Sequence, residues 1–91
     1  MNTHESFCLD LKTLIITTCD KPFDPVSITD EEPLFGPSAR LTLDSLDALQ
    51  VSMALQKRFG VRLTDSKETR RILTNVASLA AYLEQHGVPK T

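Results

Sequence analysis

The sequence predicts an all-α fold: a small four-helix bundle with a long loop between its first and second helices and a short third helix. Apolar residues recur at helical spacing in stretches beginning near residues 6, 44 and 75. Four of the five prolines fall between residues 20 and 43, where they disfavour any long helix or strand ladder. Capping residues and glycine stops bracket the periodic stretches.

The first helix is expected over 6–19, "SFCLDLKTLIITTC", with Ser6 as its cap and a β-branched tail that weakens it. Cys8, Leu11, Ile15 and Cys19 form an i, i+3, i+7, i+11 stripe, which assigns both cysteines to packing. On such a helix the two thiols lie roughly 16 Å apart, beyond the ~7 Å Cα separation that a disulfide tolerates. In the loop that follows, Phe23, Val26, Ile28, Leu34 and Phe35 serve as apolar anchors, so it should wrap the core.

The second helix starts at "DSLDALQ". Asp44 and Asp47 stand at capping spacing, Ser45 takes the first helical position, and Gly60 supplies the stop. Ala48, Val51, Ser52, Leu55 and Phe59 share one face, with Val51, Leu55 and Phe59 expected to meet Leu11 and Ile15. A third, basic helix opens in "TDSKETRR", with Asp65 and Glu68 at capping-box spacing, and runs to about Leu73. Asn75 restarts the chain as the cap of a fourth helix. Val76, Leu79, Ala80 and Leu83 should face inward, and Gly87 with Pro89 should end it.

Ninety-one residues suit one domain over 1–91, with its core at about 6–86. A 41% hydrophobic and 24% charged composition is that of a soluble protein, and no apolar run approaches the ~20 residues of a membrane span. The start, "MNTHESFCLDLK", lacks the features of a secretory signal, so a cytoplasmic location is expected; a monomer is expected separately. The net charge of −2 is unevenly spread: residues 1–47 hold nine acids and three bases, residues 48–91 three acids and seven bases. The molecule is expected to be polarised.

Ser45 is the residue whose chemistry matters most. A helix N-terminus presents N–H groups and a partial positive charge, so a phosphate esterified to this hydroxyl would lie in a favourable field, although serines at helix starts are also routine caps. The stretch "LTLDSLDALQVSMALQKRFGVRLTDS", after a Pro-rich loop, resembles the phosphopantetheine-attachment region of acyl carrier proteins. The resemblance spans roughly residues 6–86 and is strongest from Leu41 to Leu63. It implies an acyl-carrier-like bundle and a non-enzymatic carrier whose Ser45 bears 4′-phosphopantetheine, derived from coenzyme A, through a phosphodiester. Acyl groups would ride on the arm as thioesters. Asp44 before the serine favours an acyl or polyketide carrier over an amino-acid carrier. The longer run from Leu34 to Arg71 is similar to free-standing bacterial carriers of aryl polyene synthesis, a polyketide-like route with fatty-acid-like steps.

The resemblance also implies partners: a phosphopantetheinyl transferase, a ketosynthase, a ketoreductase, a dehydratase, and acyl-transfer or acyl-activating enzymes. Their contact face would comprise Leu46, Leu49 and Met53, rimmed by Asp47, with Arg70 and Arg71 available to an acidic patch. Two departures stand out. Family members often have glycine where Thr42 stands, and many carry acids along the second helix where this chain has Gln50, Gln56, Lys57 and Arg58.

Other classes fit less well. A serine hydrolase needs a base and an oxyanion site beside its nucleophile, whereas no Gly-x-Ser-x-Gly elbow occurs and His4 and His86 are terminal. Cys8, Cys19, His4 and His86 show no metal-ligand spacing. The basic "SKETRR" alone does not outweigh a negative chain with few aromatics, so no nucleic acid is expected. A non-catalytic helical interaction module without a prosthetic group is the alternative reading.

Overall fold

A computed structural model describes residues 3–63 and 65–87. Among these residues four α-helices follow one another: α1 (Thr3–Cys19), α2 (Ser45–Phe59), α3 (Ser66–Ile72) and α4 (Val76–Gln85). No strand occurs among the described residues, and the expected all-α bundle is what the chain forms.

Helix α1 begins three residues before Ser6, so Ser6 lies within it and does not cap it. His4, expected ahead of this helix, falls inside its first turn. Cys8, Leu11 and Ile15 are buried as the stripe requires, and Phe7, Leu14 and Ile16 join them. Burial outweighs the low helix propensity of the β-branched tail. The helix ends in a Schellman arrangement: the Lys21 N–H donates to the Ile16 carbonyl at 3.0 Å and the Asp20 N–H to that of Thr17 at 3.3 Å. Asp20 takes the left-handed conformation, φ 54°, that this motif needs. Both cysteines remain thiols.

The loop from residue 20 to 44 wraps the core. Ile28 and Leu34 are buried and Phe23 and Phe35 pack against them, as expected; Leu41 and Leu43 add to the core. Val26 does not. It sits in a short 3₁₀ turn, Pro25–Ser27, that Asp24 caps on the solvent side, and it is 75% exposed. Backbone bonds fasten the loop to the α3–α4 junction: Leu34 N–H to Thr74 at 3.0 Å and Ala77 N–H to Asp30 at 2.9 Å. Glu32 closes it from outside, accepting from the Thr29 N–H at 2.8 Å and Arg40 Nε at 3.1 Å. Arg40 also donates to the Ser27 carbonyl. These bonds hold the Glu32 carboxyl down at about 2, with Arg40 the main cause.

Ala48, Val51, Ser52 and Leu55 form the buried face of α2, and Gly60 ends it at φ 73°. Phe59, expected in the core, is only partly buried; its ring meets Phe7 edge-on at 6.1 Å. Asp65 caps α3 through the Lys67 N–H at 3.0 Å, while Glu68 turns toward Arg71 at 3.9 Å instead of returning to the cap. Asn75 caps α4 through the Ser78 N–H at 2.7 Å, and Val76, Leu79, Ala80 and Leu83 all point inward. His86 caps the C-terminal end, its ring 4.1 Å from Tyr82, and Gly87 follows at φ 81°. Pro89 lies outside the described residues.

Candidate functional site

The first turn of α2 is fixed from both sides. Before it, Leu41 and Leu43 are buried, and the Leu43 N–H donates to the Leu34 carbonyl at 3.0 Å. After it, Ala48 is buried. Between these anchors Asp44 caps the helix from an extended backbone. Its Oδ1 accepts from the Asp47 N–H at 2.9 Å, and its own N–H donates to Asp47 Oδ2 at 3.1 Å. This reciprocal box accounts for both aspartates. The bond from the Asp47 N–H also holds the Asp44 carboxyl below its ordinary range.

Ser45 is the first helical residue and is exposed. With Asp44 and Asp47 supplying the cap, its hydroxyl is not needed for that purpose. A hydroxyl so placed can be esterified to a phosphate without disturbing the cap, and the helix N-terminus favours the added negative charge.

The end of α1 and the turn that follows it steady this first turn from the side. Lys21 Nζ lies 3.8 Å from Asp47 Oδ2, and Cys19 Sγ lies 3.9 Å from the Asp47 carbonyl. Lys21 therefore offsets one of the two carboxylates beside Ser45. Burial, and then the nearby Asp47 charge, push the Cys19 thiol up to about 11, so it stays protonated at neutral pH. Sequence reading missed both contacts, because their partners are 26 and 28 residues apart and no local pattern links them.

Thr42, two residues before the cap, adopts φ 45°. A β-branched residue in this left-handed region is strained, and glycine would relieve it.

Leu46, Leu49 and Met53 are 61%, 55% and 61% exposed, so they are not core. Arg70 is joined to the serine end indirectly: its guanidinium lies 4.5 Å above the Phe35 ring, and Phe35 bridges to Leu43. Arg71 instead faces Glu68, and no hydrogen bond or ion pair among the described residues links it to the α2 face.

No group of three or more potential metal ligands occurs among the described residues, and no helix among them is long and apolar enough to cross a membrane. A family model described as a phosphopantetheine attachment site matches residues 10–83. No curated protein and no solved structure matches the chain.

Proposed function

The chain belongs to the phosphopantetheine-attachment family, and on that premise we propose that Ser45 is the residue that carries the group. Proteins of this family are carriers and not catalysts. They bear a 4′-phosphopantetheine prosthetic group and work with a phosphopantetheinyl transferase and with biosynthetic enzymes. The group supplies a terminal thiol on which acyl chains are held as thioesters.

The observation that carries the assignment is the exposure of Ser45 at the first position of a helix already capped by Asp44 and Asp47. The chain's own contribution is positional. Asp44 and Asp47 fix the turn, Lys21 offsets part of their charge, and Leu46, Leu49 and Met53 lie beside the serine for partner contact. The whole chain then acts as one carrier domain.

The cargo we assign is an acyl or polyketide-type intermediate of a fatty-acid-like pathway, aryl polyene synthesis being the route whose carriers this sequence most resembles. Asp44 ahead of the serine and the run from Leu34 to Arg71 support that reading. A ketosynthase, a ketoreductase, a dehydratase and an acyl-transfer or acyl-activating enzyme would be the partners.

Intact-mass measurement after treatment with coenzyme A and a broad-specificity phosphopantetheinyl transferase tests the site. One phosphopantetheine should be added to the wild type and none to Ser45→Ala. An unmodified wild type, beside a control carrier that is converted, would leave a non-catalytic interaction module in its place.

A further inference from the structure

Beyond Asp47 the charge of α2 changes character. From Ala48 to Leu63 no acidic side chain occurs, while Lys57, Arg58 and Arg62 bring three cations. None of the three takes part in an ion pair among the described residues. At about 100° per residue, Lys57 falls in line with Leu46, Leu49 and Met53, on the side of the helix opposite Val51 and Leu55. The strip therefore runs from exposed apolar side chains to a cationic end.

That end borders a groove. Between α1 and α2 lies an open depression of about 410 Å³, with Leu14, Thr17 and Ala54 in its lining and Lys57 and Arg58 beside them. The negative end of the helix dipole, about half a unit charge, offsets only part of two full cations. A positive field is left at the groove.

We propose that this surface docks a partner protein that presents carboxylates beside an apolar patch. The patch covers Leu46, Leu49 and Met53, and a carboxylate-bearing side chain enters the groove next to Lys57 and Arg58. A polyphosphate fits poorly. An apolar strip gives it nothing to bind, and Asp44 and Asp47 at the other end of the same helix repel it. The proposal rests on Ser45 as the attachment site, because the strip begins at its neighbour Leu46.

The test uses the unmodified chain and two purified ketosynthases, one with Asp and Glu around its carrier entrance and one with Lys and Arg there. Calorimetric titration should show binding to the acid-rimmed enzyme. Lys57→Glu with Arg58→Glu should weaken it about tenfold, Lys57→Gln with Arg58→Gln by less, and added salt should weaken the wild type. Preference for the base-rimmed enzyme, no binding to the acid-rimmed one, an unchanged affinity in the double glutamate variant, or tighter binding to duplex DNA overturns the proposal. Intact masses of the same preparations after treatment with coenzyme A and a broad-specificity phosphopantetheinyl transferase separate the two readings. Loading on Ser45 without the charge preference sinks the docking proposal alone; the charge preference without loading sinks the attachment assignment alone.

Discussion

Asp44 and Asp47 cap one another across the first turn of α2, each using a carboxylate oxygen to accept the other's backbone N–H, at 2.9 and 3.1 Å. Replacing Asp44 by alanine removes one bond and leaves the Asp47 N–H without its acceptor. The expected cost is about 1 kcal/mol, within the usual range for an N-cap. Ser45→Ala removes no cap bond and should melt with the wild type. A thermal comparison of the two variants checks this, and equal losses in both would show that Ser45 shares the capping role.

Thr42 offers a gain. Holding a β-branched residue at φ 45° costs energy that glycine does not incur, so Thr42→Gly should raise stability by about 1 kcal/mol. Its melting temperature should exceed that of the wild type. A lower one would mean that the Thr42 side chain contributes more than its backbone strain costs.

The elements legible in the sequence are those whose signals are local. The caps Asp44 and Asn75, the stop at Gly60 and the inward faces of α2 and α4 each follow from residues within a few positions of one another. The exposure of Leu46, Leu49 and Met53 follows from the family resemblance instead, since periodicity alone lets such a stripe complete a wide buried face. Where periodicity fails, inference fails with it. Val26 is apolar but sits on a solvent-facing turn, and Leu41 and Leu43 are buried by a loop whose path no repeat announces. The start of α1 precedes its local signal, because Ser6 is a good cap residue that the helix does not use. Contacts such as Lys21 with Asp47 and Arg40 with Glu32 depend on how the loop folds back, so tertiary structure alone discloses them.

Phe59 and Leu55 should differ. Leu55 is fully enclosed, and Leu55→Ala should cost about 2–5 kcal/mol. The Phe59 ring is only partly buried, meets Phe7 edge-on and has the Arg58 guanidinium 5.6 Å from its centre, so Phe59→Ala should cost roughly 2–3 kcal/mol, below the range for an enclosed ring. Denaturant titration of both variants tests the order. A larger loss at Phe59 would place its ring deeper than its partial exposure indicates.

Acid should loosen the long loop. The Glu32 carboxyl ordinarily titrates near 4.5 and is lowered to about 2 by Arg40 and Thr29. A depressed folded-state value adds stability above the unfolded one, so this contribution is complete above pH 4.5 and is lost as pH falls from 4.5 toward about 2. Arg40→Gln removes the main cause and should flatten the acid limb of a stability-against-pH curve. An unaltered acid limb in that variant would assign acid sensitivity to other carboxylates.

Met53 separates docking from folding. Its side chain is 61% exposed on the face of α2 opposite Leu55, so truncation removes little buried area, and Met53→Ala should stay within about 0.5 kcal/mol of wild type. Ser45, the proposed attachment site, lies two turns away along the same helix, and an enzyme that reaches an arm held there must lie against this neighbourhood. The same truncation should therefore slow acyl transfer by a cognate ketosynthase several-fold, through weaker binding of the carrier and not through a change at the thioester. A raised KM for the carrier with little change in kcat is the expected signature. Transfer at wild-type efficiency by a stable Met53→Ala chain would move the partner contact off this strip. A loss of several kcal/mol in stability would instead show that Met53 packs more tightly than its exposure indicates.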